Sequence, residues 1–279
     1  MSQNPERYNE EQALEEAAKM HELVVSGETS SYSEAEQTLE DREKISRLLQ
    51  RIKQRQPKRY HDTIEDADRR MQLGTNFTNE LLRAVNGHTW ASYREREHPE
   101  QVSKSRMGSQ LGLDTNKIIP ELADMLSRKL KGEVIIDLGS GPDATGYALA
   151  DSLHARGYVG VEMNFANFAN ERIKGFHGET PFVVAQEDIG NFVSDLIKNN
   201  DKVKGIILSG IDQYSYTGRI SLDQIIQDVY SVLENDGVLM LGGNLGYIKE
   251  DQGKTLDRYF EQIDVGAPSS FWILQKRKS

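Results

Sequence analysis

The chain has 279 residues, of which 37% are hydrophobic and 28% charged, with no cysteine and a formal net charge of −10. The absence of cysteine excludes disulfides and thiolate metal sites and agrees with the reducing cytoplasm, where we expect the protein to be located. No apolar run approaches the roughly 18 residues of a membrane span, so we expect neither a span nor a secretory signal, and the acidic balance disfavours a nucleic-acid partner.

The first 131 residues show apolar side chains at helical spacing. A first helix is predicted to end at Ser26-Gly27, and a second to open with a capping box made by Ser33 and Glu36. The first 60 or so residues are charge-dense and amphipathic without a strong core pattern. We therefore expect this part of the chain to be mobile or to bind a protein partner.

Further helical patterns follow at residues 64–71 and 77–85. A helix capped by Asp114 or Thr115 is then predicted to run as far as Gly132, because apolar residues recur at three- and four-residue intervals between them. The sequence from 88 to 113 loses this periodicity, which is typical of loop with short helix.

From Glu133 onward, short apolar runs alternate with helical patterns. This alternation is the signature of βαβ units around a mostly parallel sheet. The strand candidates are residues 134–136, 158–161, 181–184, 205–208 and 238–241. The final two, 261–265 and 271–275, flank a Gly-Ala-Pro turn. A connection this short requires antiparallel pairing, since a parallel crossover needs a dozen or more residues.

The first strand leads into Asp137-Leu138-Gly139-Ser140-Gly141 and then into a helix. Glycines at a strand-to-helix turn let the backbone approach a ligand, and the helix N-terminus offers free N–H groups. On its own this pattern also occurs in purely structural turns.

Acidic side chains follow several of the predicted strands. Glu162 ends the second strand, Asp188 follows the third, and Asp212 follows the fourth. The carboxyl ends of parallel strands form the edge at which open α/β sheets bind ligands, and a carboxylate there can accept both hydroxyls of a ribose. A plain strand-end acid is the alternative reading for each residue taken alone.

Over residues 115–279 the ordered motifs resemble the class I S-adenosylmethionine-dependent methyltransferases. The motifs that carry the resemblance are Asp137 to Gly141, Leu149-Ala150, Glu162, Asp188-Ile189, the turn at residues 232–237, and the terminal hairpin ending in Phe271 to Leu274. In that family the second-strand acid holds the cofactor ribose, and the acid after the third strand meets the adenine amino group. The reversed last strand argues against a dinucleotide-binding dehydrogenase.

The resemblance implies an α/β fold, a seven-stranded mostly parallel Rossmann-like methyltransferase sheet with an antiparallel last strand, preceded by an α-helical N-terminal extension. It divides the chain into a helical extension or lid, residues 1–113, and a class I methyltransferase domain, residues 114–279. It implies S-adenosyl-L-methionine as cofactor and requires no metal. The residues expected to contact the cofactor are Asp137, Gly139, Ser140, Gly141, Asp143, Glu162, Met163, Asp188, Ile189 and Ser209.

The resemblance also implies a substrate-facing segment after the fourth strand. Asp212 is the first candidate to orient or deprotonate a methyl acceptor, and Tyr214 and Tyr216 are candidates to shape its pocket. Asn244 and Tyr247, just past the fifth strand, are second-rank candidates, and Trp90 or Tyr93 could cap the site as part of an N-terminal lid. Ordinary loop packing is the alternative for Tyr214 and Tyr216, and a plain core tryptophan is the alternative for Trp90. The acceptor itself is expected to be small or medium-sized.

Two other functions fit parts of the pattern. Asp143 stands where the family has a third glycine, and it could mark a decayed loop in a non-catalytic protein whose N-terminal helices bind a partner. A nicotinamide-dependent oxidoreductase would also use a glycine turn and a ribose-binding acid. Stabilisation by S-adenosylhomocysteine, by a dinucleotide, or by neither separates the three hypotheses.

Overall fold

A computed structural model describes residues 5–54, 81, 84–85, 119–141, 145–163, 166–175, 178–208, 221–242, 253–263 and 271–277. The chain divides into two compact units, residues 1–51 and 52–279. The predicted domain boundary at 113/114 lies outside the described residues and stays a prediction. In the part of the chain that the structure describes, no helix has the length and apolar character needed to cross a lipid bilayer.

The first unit contains α1 (Pro5–Val25) and most of α2 (Tyr32–Lys53). α1 ends where the sequence predicts, because Gly27 has a φ of +76° that favours glycine over other residues. His21 on α1 and Tyr32 at the start of α2 stack with their ring centroids 6.3 Å apart. The His21 Nδ1 atom and the Tyr32 hydroxyl also form a 2.8 Å hydrogen bond that joins the two helices.

The predicted capping box at Ser33 and Glu36 is wrong by two residues. The Ser31 hydroxyl accepts the Glu34 N–H at 3.2 Å, and the Glu34 carboxylate accepts the N–H of Ser30 at 2.7 Å. Two overlapping Ser-x-x-Glu patterns occur in this segment, and the helix uses the first. The choice places the first turn of α2 two residues earlier than expected.

The second unit is built on a seven-stranded sheet with the order β3-β2-β1-β4-β5-β7-β6. Strands β1 to β5 are parallel, while β7 is antiparallel to both β5 and β6. This order confirms the predicted fold class. The elements are α3 (Pro120–Leu130), β1 (Val134–Leu138), α4 (Thr145–Ser152), β2 (Gly157–Val161), α5 (Ala166–Lys174), β3 (Phe182–Ala185), α6 (Ile189–Lys198), β4 (Val203–Leu208), α7 (Leu222–Val232), β5 (Leu233–Gly242), β6 (Phe260–Gln262) and β7 (Phe271–Lys276).

The expected cap of α3 is also wrong. α3 begins at Pro120 and is preceded by Ile119, which makes no side-chain cap. Proline suits the first helical position because its φ is already helical and its missing N–H would have no partner there. The predicted end is confirmed, since Gly132 follows α3 with a φ of +76°.

The predicted turn before the fifth strand is a bulge inside β5, where several residues do not pair with β4. The pairing with β4 passes from Val203–Leu233 directly to Gly205–Val238, so the residues between Leu233 and Val238 leave the ladder. Within this bulge Asp236 has a φ of +63°. Asparagine and aspartate tolerate this conformation better than most residues, which explains the Asn-Asp-Gly sequence.

Four lysines hold the carbonyl oxygens of this bulge and of the end of α7, at the amino end of the sheet. Lys202 donates to Ser231 O at 2.5 Å, Lys276 to Leu233 O at 2.6 Å, Lys204 to Asn235 O at 3.0 Å and Lys129 to Asp236 O at 3.5 Å. Ammonium groups are favourable at a helix C-terminus, where unpaired carbonyls point outward. Burial, and then the like charge of Lys202, lowers the pKa of Lys276.

The edge strand β3 is closed by a side chain that imitates a neighbouring strand. The Asn170 amide on α5 donates to Val184 O at 3.0 Å, and its carbonyl oxygen accepts the Val184 N–H at 3.1 Å. Exposed strand edges are templates for pairing with other chains, and proteins commonly block them. Asn170 occupies both backbone groups of the central outward-facing residue of this edge.

We expect Asn170→Ala to lower the free energy of unfolding by about 1–3 kcal/mol, since it removes the partners of two backbone groups of a buried residue. The opened edge should also increase self-association. Urea unfolding measures the first effect and sedimentation velocity the second.

Asn167→Ala serves as the control, because Asn167 lies on the same helix with an exposed side chain. Its effect on stability should stay within about 0.5 kcal/mol. Equal effects of the two substitutions would contradict the role given to Asn170.

Candidate functional site

The glycine turn after β1 has the backbone conformation that its residues predict. Gly139 and Gly141 have φ values of +82° and +71°, which side chains with a Cβ rarely adopt. Ser140 lies between them and is only 6% exposed. The chain therefore reverses tightly at the carboxyl end of β1 before α4 begins.

This turn is held to β2 by its own amides. The N–H groups of Gly139 and Ser140 both donate to Val161 O, at 2.9 and 3.1 Å. Val161 is the last residue of β2 and pairs with Leu138 in the sheet. The turn therefore continues the ladder beyond the end of β1.

Glu162 joins the turn to the next strand. Its Oε2 atom accepts the Gly141 N–H at 3.1 Å, while its own N–H donates to Ala185 O at the end of β3, at 3.0 Å. The side chain is half-buried. A carboxylate offers about four acceptor positions, so it can take part in several hydrogen bonds at once.

Asp188 and Ile189 follow the end of β3. Asp188 is the N-cap of α6, and its Oδ1 atom accepts the Asn191 N–H at 3.2 Å. Ile189 begins that helix, and both side chains are half-buried. Met163 lies directly after Glu162 and is also half-buried. Because β1, β2 and β3 are adjacent and parallel, the structure brings these residues to the same edge of the sheet as the glycine turn.

Asp137 lies beneath the turn rather than at its surface. It is 2% exposed, and its Oδ2 atom accepts a 2.9 Å hydrogen bond from the Tyr158 hydroxyl. A Cβ placed on Gly146 of α4 would be 2.1 Å from the same oxygen. The carboxylate therefore lies between β2 and the first turn of α4, two residues before the turn begins.

Ser140 packs onto a second glycine. A Cβ on Gly160 of β2 would lie 2.9 Å from the Ser140 Oγ atom. This hydroxyl is buried and has no hydrogen-bond partner among the described residues. Because Gly160 has no side chain, the Ser140 side chain can pack against the backbone of β2.

Four predicted residues lie outside the described residues, namely Asp143, Ser209, Asp212 and Tyr214, as do Trp90, Tyr93, Tyr216, Asn244 and Tyr247. Their roles stay predictions. The sequence reasoning missed Tyr158, Gly146 and Gly160. The two glycines had a usable signal, since each lies opposite the motif in a helix or strand where glycine is unfavourable. Tyr158 had none, because tyrosine is common in strands.

The described part of this edge is acidic. Residues 137–141, 161–163 and 185–191 include four acids, Asp137, Glu162, Glu187 and Asp188, and no lysine or arginine. Such a surface favours a ligand with cationic character and hydroxyl or amino donors over an anionic one. Among the described residues no group of three or more histidines and carboxylates is placed to hold a metal ion.

The sequence matches no protein-family model and no curated protein. Among solved structures, a Streptococcus mutans protein provisionally named a SAM-dependent methyltransferase is similar at 11% identity and a TM-score of 0.42, covering 55% of this chain and 46% of that one. The chain thus spans about half the length of that protein. A precorrin-6y C5,15-methyltransferase from Geobacter metallireducens has 17% identity and a TM-score of 0.40, covering 57% of this chain and 89% of that one.

The complex of aTrm5 with tRNALeu is similar at 16% identity and a TM-score of 0.35, covering 56% of this chain and 45% of that one. Similarity at this level transfers no activity, because one fold serves many functions. The precorrin and the tRNA are what those two proteins act on or bind. The strand order and the geometry of the turn carry the argument for this chain.

The contact between Gly146 and Asp137 gives a test of the site. Gly→Ala inside a helix normally stabilises by about 0.5–1 kcal/mol. At Gly146 the methyl group would overlap the Asp137 carboxylate, and forced overpacking costs about 1–3 kcal/mol. We expect Gly146→Ala to be net destabilising in urea unfolding.

A double-mutant cycle identifies the cause. In an Asp137→Ala background the overlap with the carboxylate is gone and a 3.2 Å contact with Ile207 Cδ1 remains, so Gly146→Ala should be clearly less destabilising than in the wild-type chain. If Gly146→Ala does not lower the free energy of unfolding of the wild-type chain, the position given to the carboxylate is contradicted.

Proposed function

We propose that this chain is an S-adenosylmethionine-dependent methyltransferase. The observation that carries the proposal is the hydrogen-bonded edge that joins Gly139, Gly141 and Glu162 to the ends of β2 and β3. A left-handed glycine turn, a carboxylate at the end of the second strand and a capping acid after the third provide the three groups that an adenosine moiety needs. These are a backbone that can be approached closely, an acceptor for the ribose hydroxyls and an acceptor for the adenine amino group.

The sign of the local charge supports a sulfonium ligand over a dinucleotide. The three half-buried acids of this edge, Glu162, Glu187 and Asp188, would repel the two negative charges of a pyrophosphate, whereas they attract a sulfonium and an α-ammonium group. The antiparallel β7 also separates this sheet from the all-parallel order expected for a dinucleotide-binding domain. Both observations favour the methyltransferase over the oxidoreductase alternative.

When bound, S-adenosylmethionine supplies an activated methyl group on its sulfur, so the protein has mainly to position the acceptor and exclude water. In this proposal Glu162 orients the ribose, and Asp188 with Ile189 receives the adenine. Asp212 orients or deprotonates the acceptor, and Tyr214 shapes its pocket. A base is needed only where the acceptor is a hydroxyl or a protonated amine. The acceptor is proposed to be a small or medium-sized molecule.

The proposal predicts that S-adenosylhomocysteine stabilises the chain. At a concentration 100 times its Kd, a ligand adds about 2.7 kcal/mol, which corresponds to roughly 5–10 °C in Tm for a domain of this size. Thermal unfolding with S-adenosylhomocysteine, NAD⁺ or NADP⁺ measures the difference. A shift with a dinucleotide alone would support an oxidoreductase, and no shift with any ligand would support a non-catalytic protein.

Glu162→Gln separates the two roles of this side chain. The amide oxygen of glutamine can still accept the Gly141 N–H, whereas the charge-assisted bonds to ribose are lost. We expect the Kd of S-adenosylhomocysteine in isothermal titration to rise roughly 10- to 100-fold, with little change in Tm of the free protein.

Glu171→Gln is the matched control, because Glu171 is an exposed acid on α5 that pairs with Lys174. It should leave the Kd unchanged. If both substitutions weaken binding equally, the loss reflects net charge rather than a contact with the ribose.

A further inference from the structure

The buried Asp137 carboxylate is held by a tyrosine that reaches along its neighbouring strand. In the sheet Asp137 pairs with Gly160, and Tyr158 lies two residues earlier on β2. Two residues of a strand span about 6.6 Å, and their side chains share one face. This distance matches the length of a tyrosine side chain, so the Tyr158 hydroxyl meets the Asp137 carboxylate at 2.9 Å.

Tyr158 has a fixed orientation. Its ring lies edge-on to Tyr147 of α4, with centroids 5.7 Å apart and an interplanar angle of 81°. Tyr147 in turn contacts Phe182 of β3 at 5.4 Å and donates its hydroxyl to Thr180 O at 3.1 Å. Both tyrosines are at most 1% exposed. The Tyr158 hydroxyl is therefore delivered by a packed aromatic cluster rather than by a mobile side chain.

Asp137 is two residues from Gly139, so its position sets the start of the turn. Burying a carboxylate is costly unless hydrogen bonds compensate it. Loss of the Tyr158 donor would favour movement of the carboxylate toward water. A Cβ on Gly146 would overlap Oδ2, so the carboxylate packs directly against the first turn of α4.

We propose that Tyr158 is a positioning residue for the cofactor turn: its hydroxyl, acting through Asp137, holds Gly139 to Gly141 in the conformation that receives the adenosyl ligand. This inference rests on the proposed function for the identity of the ligand. The effect on the turn itself is independent of it. Tyr158 acts on the turn through the buried Asp137 carboxylate, to which its hydroxyl donates.

Tyr158→Phe and Tyr147→Phe form a matched pair. Each removes one buried hydroxyl from the same aromatic cluster: the Tyr158 hydroxyl donates to Asp137, and the Tyr147 hydroxyl donates to Thr180 O. Hydrogen–deuterium exchange at the amides of Gly139, Ser140 and Gly141 reports the turn without any ligand. Isothermal titration with S-adenosylhomocysteine, well below Tm, reports its competence to bind.

We expect both variants to lose a similar amount of Tm. Tyr158→Phe should speed exchange of the three turn amides about tenfold and weaken S-adenosylhomocysteine binding about tenfold. Tyr147→Phe should change neither. If Tyr158→Phe fails to fold, Tyr158→Phe with Asp137→Asn removes the donor and the buried charge together, and the same faster exchange is expected.

Unchanged exchange at the turn in the Tyr158 variants would overturn the proposal. Equal changes in the Tyr147 and Tyr158 variants would also overturn it, because the effect would then be one of packing. A wild-type chain that binds no S-adenosylhomocysteine would remove the proposed function, while the exchange comparison would still decide whether Tyr158 holds the turn.

Discussion

The ligand edge depends on two hydrogen bonds, which the N–H groups of Gly139 and Ser140 donate to the Val161 carbonyl. A strand that ends at the sheet edge leaves its last carbonyls without partners, and a polar group buried without a partner is costly. Here the turn after β1 supplies hydrogen-bond donors for the last carbonyl of β2. This pairing requires left-handed backbone on both sides of Ser140, and the two glycines permit it. The turn thus adopts this conformation because its amides satisfy the carbonyl at the end of β2.

Charge is distributed differently at the two ends of this sheet. At the carboxyl end the described residues are acidic, while at the amino end Lys129, Lys202, Lys204 and Lys276 donate to carbonyls of the bulge within β5 and of the preceding helix. Lys204 and Lys129 donate to carbonyls of residues that leave the β4–β5 ladder. Lys202 and Lys276 donate to carbonyls at the end of α7 and the start of β5. The acids lie where a ligand can replace water. The net charge of −10 therefore describes neither end, and the position of each charge matters more than the sum.

Most of the sheet could be predicted from the sequence, because apolar runs separated by helical patterns leave few topologies for parallel strands. The acids at the strand ends followed from the same reasoning. The predicted helix starts were wrong where two start signals lie close together in the sequence. Before α2 there are two overlapping Ser-x-x-Glu patterns, and α3 begins at Pro120 without the side-chain cap that was predicted. The support beneath the turn was not predictable. It depends on the register of β1 and β2, which places Tyr158 within reach of Asp137, and no local pattern encodes that register.

The acids of the ligand edge have structural partners as well as proposed ligand contacts. Glu162 accepts the Gly141 amide, and Asp188 caps α6 through Asn191. Each bond fixes the side chain before any ligand arrives, so binding would cost less side-chain entropy than it would for an unrestrained carboxylate. It also means that replacing either acid by alanine would disturb the fold together with the contact. Preorganisation and stability at this edge are therefore produced by the same hydrogen bonds, and only substitutions that preserve the internal acceptor can separate them.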